Sequence, residues 1–236
     1  MGAFRWDGDH LAAALPHGAQ ALFTTRRGGV SQGPYASLNL GRTSAELEDD
    51  APAAVAQNRT LVQTAAGGRP LRLSRQVHGT AIATDAVALP EADGQVTGRG
   101  EVAVTVMVAD CLPVAIAGPG GVAMVHAGWR GLAGGILARG AAALDDGPKA
   151  AAIGPGIGVC CFEVGDEVRA AFADHPGARR GDRLDLKTIA RRQLQSAGVD
   201  QVDDCGLCTC CEPELFFSHR RDQGRTGRQA GVAWLS

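Results

Sequence analysis

The sequence predicts an α+β fold, a single compact domain of mixed β-sheets with flanking helices. Three observations carry that expectation. The chain has 236 residues, enough to bury one sizeable core. Three apolar runs in its middle, 102–108, 112–117 and 121–125, are continuous, the pattern of strands covered on both faces. Strand-like and helix-like segments mix without the strict alternation of a doubly wound sheet, and no linker or internal repeat divides the chain, so 1–236 reads as one domain.

In chain order, residues 20–25 (Gln-Ala-Leu-Phe-Thr-Thr) read as a strand that runs into 26–35, a stretch too rich in Gly and Pro for a regular element. A helix is expected from about Asp50, with Pro52 in its first turn, towards Ala66, where Gly67 and Gly68 stop it. Residues 71–77 and 80–87 read as strands flanking Gly79, and the three apolar runs follow. Residues 132–144 read as a helix, although Gly134, Gly135 and Gly140 weaken it. The clearest helix starts at an N-cap residue, Asp185, places Leu186, Ile189, Ala190, Leu194 and Ala197 on one face, and ends at Gly198. Residues 230–235 form a last strand.

Composition narrows the function. With 45% hydrophobic and 20% charged residues the chain reads as an ordinary soluble globular protein. A net charge of -2 argues against a nucleic-acid partner. The densest basic patch, Arg220, Arg221, Arg225 and Arg228, is interleaved with Gly and Gln, and suits a loop that holds a small anion. Asp7, Asp9 and His10 precede any apolar run, unlike a signal peptide, and no stretch is long and apolar enough to span a membrane. The expected location is therefore the cytoplasm, with the seven cysteines as reduced thiols and the chain as a monomer.

Three residues stand out by position. His78 lies in the connection between two expected strands, Cys111 between two buried ones, and His126 at the end of the third apolar run. Strand ends on a rigid sheet are where sites are built. Two imidazoles and a thiolate suit zinc, and three protein ligands leave a fourth position open, as catalytic sites require. On spacing alone, satisfied core residues are the better reading.

The flanking residues add a resemblance. Arg75-Gln76-Val77-His78-Gly79, Ala109-Asp110-Cys111-Leu112-Pro113 and His126-Ala127-Gly128-Trp129-Arg130-Gly131 occur in this order, with Phe23-Thr24-Thr25-Arg26 before them and Cys161-Phe162-Glu163-Val164-Gly165 and Phe217-Ser218 after them. In these motifs the chain resembles the YfiH-type, laccase-domain family, also called the multicopper polyphenol oxidoreductase family. Gly94-Gln95 and Val108 depart from its pattern.

The resemblance implies a YfiH-like α+β catalytic domain with one metal ion, zinc or else copper, on His78, Cys111 and His126. It also implies a purine nucleoside phosphorylase for adenosine, inosine and methylthioadenosine, with adenosine deaminase activity in the same pocket. Its small-molecule partners would be purine nucleosides and phosphate. Deamination needs water of lowered pKa, which a metal ion provides. Asp110 either moves protons or orients His126, or it only forms its own turn. Arg26, Arg59 and Arg130 are the candidates for holding phosphate, because guanidinium groups grip it with two parallel donors. Asn39 and Gln76 are candidates for the nucleoside.

Three other readings compete. A copper polyphenol oxidase finds two His, one Cys and a nearby Met107 or Met124, but a trinuclear copper cluster needs many imidazoles, and six His with no His-x-His are too few. A metal-free amidase or hydrolase, linked in family relatives to peptidoglycan precursor editing, would use Cys111 as nucleophile with His126 or His78 as base. A structural zinc site would use Cys205, Cys208, Cys210 and Cys211, but four Cys in seven residues are crowded for one ion, so these, like Cys160 and Cys161, are expected to be buried or redox-sensitive thiols. His10, His17, His175 and His219 are expected to face solvent.

Overall fold

The computed structural model describes residues 2–41, 50–84 and 89–236. Among these residues the chain forms two six-stranded sheets stacked face to face, with helices on both outer faces. The first sheet holds β1 (Phe4–Asp7), β2 (His10–Ala14), β3 (Ala19–Phe23), β14 (Gln229–Leu235), β7 (Ala103–Val108) and β4 (Leu71–Arg72), in that spatial order. The second holds β13 (Gln201–Asp204), β10 (Ala150–Ile153), β8 (Leu112–Gly118), β9 (Gly121–Ala127), β6 (Gly94–Thr97) and β5 (Ile82–Thr84). A two-stranded ribbon, β11 (Arg179–Arg180) with β12 (Arg183–Leu184), stands apart. Antiparallel and parallel pairs mix within each large sheet, so the fold is the α+β arrangement of mixed sheets that the sequence predicts.

The layering explains the continuous apolar runs. One core lies between the sheets, built from Phe23, Val104 and Val106 on one side and Ala115, Met124 and Ala152 on the other. A second covers the outer face of the second sheet, where Val114, Ile116 and Val125 meet Leu132, Leu137, Ile189 and Leu194 of the helices α2 (Trp129–Ala133), α3 (Ile136–Ala142) and α5 (Leu186–Ser196). A third packs Leu22, Ala103 and Val232 against Val62 of α1 (Pro52–Ala65). Strands β7, β8, β9 and β14 therefore have no solvent face to be polar on. The sheets approach closely through small residues: a Cβ on Gly154 would stand 2.2 Å from the ring of Phe23.

Several boundaries differ from expectation for local reasons. The helix expected over 132–144 is two helices, because Gly135 takes a left-handed φ of +79° and breaks the run. The strand expected over 71–77 closes after Arg72, and the chain then loops to present His78. The strand expected over 80–87 is β5 at its start, and residues 85–87 lie outside the described part. Helix α5 starts as its N-cap predicts, with the Asp185 carboxylate accepting the N–H of Thr188 at 3.1 Å. Strands β1, β2, β6, β10 and β13 and the short helix α4 (Asp166–Ala171) were not anticipated.

Candidate metal centre and substrate cleft

The chain passes from the first sheet to the second through Ala109, Asp110 and Cys111, between β7 and β8. Asp110 makes that corner with a left-handed φ of +90°, and its carboxylate secures it, accepting Thr209 Oγ1 and the N–H of Arg220, each at 2.7 Å. Cys111 follows immediately. His126 comes from the neighbouring strand, where it pairs with Pro113 in the antiparallel β8–β9 register. His78 arrives from the loop between β4 and β5. The donor atoms of His78, Cys111 and His126 all lie within 4.8 Å of one another, and the two imidazole rings meet edge to face with centroids 4.9 Å apart.

Asp93, just before β6, ties this group together. Its Oδ2 accepts the N–H groups of Val77 (3.0 Å) and Gly79 (2.7 Å), and its Oδ1 accepts the N–H of His78 (2.9 Å) and faces Nδ1 of His126 at 2.7 Å. The carboxyl is fully buried, yet its acceptor sites are met from all sides. Burial pushes it up, but the bonds from His126 and from the Gly79 and Val77 backbone outweigh burial and hold it down at about 2. Those bonds also hold His78 in a left-handed φ of +59° that a β-carbon disfavours. The role expected of Asp110 as partner of His126 thus falls to Asp93. Nothing in the sequence marks Asp93, because its connection to His78 is made only by the loop's return to the start of β6.

The charges of the group are coupled. Burial raises the Cys111 thiol, but the charge of His126 and hydrogen bonds from His126 and His78 bring it down to about 6. Burial lowers His126, but Cys111 and Asp93 bring it up to about 9. Without a metal each group favours the charged form of the other, in the direction of a thiolate–imidazolium pair.

The residues fit a metal ion. Two imidazoles and a thiolate are the donor set of an open zinc site. With Nδ1 of His126 occupied by Asp93, Nε2 is left for a ligand bond, the usual carboxylate–histidine arrangement. The space between the donors is kept by Gly128, where a Cβ would stand 3.0 Å from Cys111 Sγ and 3.2 Å from His78 Cδ2. Among the described residues no other His joins this group, which leaves no imidazole cluster for several coppers. Met124 is buried in the core between the sheets.

A cleft of about 540 Å³ opens over the three donors, a size suited to a small-molecule ligand. Its walls include Gln76, Trp129, Phe162, His219, Arg220 and Arg228. Arg228 and Arg220 come from the basic stretch marked in the sequence. Arg228 is held by the carbonyls of Thr226 and Gly227, and Arg220 stacks over Phe162 at 5.4 Å and donates to Glu163 O at 3.0 Å. Burial pulls the Arg228 guanidinium down, against the neighbouring charges of Cys111 and Asp110, which raise it.

Of the other expected ligands, Gln76 alone is among the described lining residues. Arg26 lies in a separate depression with Ser37 and Pro213, donates to the carbonyls of Ala36 and Pro213, and stacks on Phe217. Asn39 is fully buried, where its carbonyl accepts the N–H groups of Gly41 and Arg228 and its amide donates to Asp50. Arg59 donates to Leu40 O from α1, outside the cleft wall. Arg130 is exposed and stacks over Trp129 at 4.3 Å, and only Trp129 reaches the cleft. Gln76 lines the cleft, but both ends of its amide are bound to the Met107 backbone at 2.8 Å. His219 also lines it, exposed as expected, whereas His10 is half-buried and faces the N–H of Thr25. Gln95, one of the departures from the family pattern, is fully buried and joins the sheets by donating to Arg72 O and Thr105 O.

This fold and centre match known proteins along nearly the whole chain. A family model described as multi-copper polyphenol oxidoreductase laccase matches residues 20–236. A purine nucleoside phosphorylase of Pseudomonas aeruginosa is 42% identical, over 93% of this chain and 95% of that protein. Purine nucleoside phosphorylase YfiH of Escherichia coli K12 is 40% identical, over 93% and 95%. Among solved structures, a Neisseria meningitidis protein superposes with a TM-score of 0.87 at 41% identity, covering 97% of this chain and all of that one. Bacillus licheniformis YfiH superposes with a TM-score of 0.90 at 32% identity, with both chains fully covered. The chain belongs to the YfiH, laccase-domain family.

Proposed function

We propose that the protein is a purine nucleoside phosphorylase that cleaves adenosine, inosine and methylthioadenosine with phosphate, and that it deaminates adenosine in the same cleft. The observation that carries this reading is the cleft itself. It sets an open His78–Cys111–His126 donor group beside two aromatic faces, Trp129 and Phe162, and two guanidinium groups, Arg220 and Arg228. The names of the relatives, purine nucleoside phosphorylases, support the phosphorylase part of this reading.

The residues divide the work by chemistry. Trp129 and Phe162 offer flat apolar surfaces to a purine. Arg228, half-buried at the cleft wall, and Arg220 hold phosphate near C1′ of the ribose. Phosphate oxygen bonds to C1′ as the C1′–N9 bond breaks, and the departing base takes a proton at N7. His219, on the wall of the cleft outside the donor group, is the residue assigned to supply that proton. Asp93 keeps His126 and His78 in place. His78, Cys111 and His126 would hold a divalent ion, zinc by donor set, which would supply the Lewis acidity and the water of lowered pKa that deamination requires. Metal-analysed protein incubated with adenosine, with and without phosphate, tests the reading. Adenine with ribose 1-phosphate is the expected product pair, and phosphate-independent inosine alone would contradict phosphorolysis.

A second reading is favoured by one observation. Asp93, His126 and Cys111 stand in the order of an orienting acid, a base and a nucleophilic thiol, as in metal-free Cys hydrolases. Metal content decides, since a bound ion occupies the thiolate that a nucleophile needs free.

A further inference from the structure

The seven cysteines sort into three groups. Cys111 belongs to the cleft. Cys205 and Cys210 pack against the two cores that border the second sheet. The remaining four, Cys160, Cys161, Cys208 and Cys211, converge from two segments far apart in sequence, and their sulfurs all lie within 4.8 Å of one another. Cys205–Cys211 viewed alone is too crowded to wrap an ion. The fold resolves that crowding by taking only Cys208 and Cys211, a Cys-x-x-Cys pair, and completing it with Cys160 and Cys161.

The metrics match a tetrahedral ion. Four sulfurs about 2.3 Å from zinc stand about 3.8 Å apart. Here Cys211 Sγ lies 3.4 Å from both Cys160 Sγ and Cys161 Sγ, too far for a disulfide and close to the spacing that one ion imposes. Both segments are prepared for it. Cys161 and Phe162 close a turn on Gly158 O, and Glu212 closes another on Cys208 O. Thr209 N–H bonds Gly156 O at 3.2 Å, pinning one loop to the other. The N–H of Gly158 donates to Cys208 Sγ at 3.2 Å, a bond that favours a thiolate. Gly158 also keeps the cradle open, since a Cβ there would stand 3.1 Å from Cys160 Sγ and 3.4 Å from Cys208 Sγ.

We infer that Cys160, Cys161, Cys208 and Cys211 form a second metal site, a closed four-thiolate centre for zinc. With every position filled by protein, the ion is structural. It clamps the segment carrying Ile157 and Phe162 to the segment carrying His219 and Arg220, which together make one wall of the cleft. It also steadies Thr209, whose hydroxyl secures Asp110 beside Cys111. The tetrad shares no ligand with the His78–Cys111–His126 group, so each site can fill without the other.

Metal analysis of the full chain, purified under reducing conditions and reloaded with zinc alone, tests this. The wild-type protein should hold two equivalents, Cys111→Ser should keep the tetrad's one, and Cys208→Ser with Cys211→Ser should keep only the cleft's. Cobalt in place of zinc should give intense thiolate-to-metal absorption that survives Cys111→Ser and falls, in the tetrad variant, to the weaker level of the single Cys111 thiolate in the cleft. Cys211→His should retain the ion, because imidazole is also a zinc ligand, and it covers the case in which the serine variant fails to fold. A zinc content that Cys111→Ser reduces to zero, or a disulfide joining the two segments in non-reducing peptide maps, would overturn the site. Loss of the cleft ion alone would instead count against the proposed activity and leave the tetrad standing.

Discussion

Nδ1 of His126 lies 2.7 Å from Oδ1 of Asp93, and that same oxygen accepts the N–H of His78 at 2.9 Å. One buried carboxylate thus orients two of the three donors. Asp93→Asn replaces an acceptor oxygen by a donor that meets donors, so it should weaken metal binding about 10–100-fold while the fold persists. Zinc titration against a competing chelator, with circular dichroism as the fold control, measures this. Unchanged affinity would mean that the strands hold both rings without the carboxylate.

The Gly128 cradle makes a steric prediction. A methyl group on this residue enters the space between Cys111 Sγ and His78 Cδ2, so Gly128→Ala should cost about 1–3 kcal/mol of metal affinity or stability. Equal zinc affinity in wild type and variant would show that the donors close without that space.

The proposed phosphate site sets Arg228 apart from Arg130. Arg228 lines the cleft, so Arg228→Lys, which loses the planar fork, should lower phosphorolysis by about one to two orders of magnitude and spare deamination. Arg130 stacks outside on Trp129, so Arg130→Lys should leave the ratio of adenine to inosine unchanged. The reverse pattern would return the phosphate to Arg130.

The metal-free protein should show a defined pH response. Asp93 has a folded pKa of about 2, below its unfolded value near 4, so its stabilisation is present above about pH 4 and is lost as pH falls through 2. His126, raised to about 9, stabilises fully below about pH 6.5 and loses that contribution as pH rises through 9. Cys111, lowered to about 6, does the opposite: its contribution is present above about pH 9 and is lost as pH falls through 6. The two offset each other between them, so urea midpoints of chelated protein should be nearly flat from about pH 6.5 to 9. Alkylation of Cys111 should show a midpoint near pH 6 that moves upward in His126→Ala. A midpoint near that of an ordinary thiol in the chelated wild type would refute the thiolate–imidazolium pair.

Much of this was legible in the sequence, and the exceptions have physical reasons. The buried strands β7, β8, β9 and β14 announce themselves as apolar runs, and Asp185 and Gly198 punctuate α5. Strand β10 does not, because its Ala-Ala-Ala stretch is weak β former chosen for close sheet packing, and β13 is a polar edge. The three residues of the candidate metal centre, which the structure brings together, carry flanking motifs that single them out in the sequence. Asp93 is not singled out, since its partners come from a loop 14–16 residues earlier and a strand 33 residues later. Arg26, Asn39, Arg59 and Arg130 share motifs with the site but spend their polar groups on local carbonyls, turns and rings, which only coordinates reveal. The basic loop at Arg220–Arg228 was read as an anion holder from composition, and two of its guanidiniums do reach the cleft.

The most direct test couples metal to product. Wild-type protein with one equivalent of zinc in the cleft, given adenosine and saturating phosphate, should form adenine and ribose 1-phosphate in equal amounts. His126→Ala, with the tetrad still loaded, should lose that product and the cleft ion together. Full turnover by His126→Ala, or by wild-type protein with the cleft ion removed, would contradict phosphorolysis at the His78–Cys111–His126 centre.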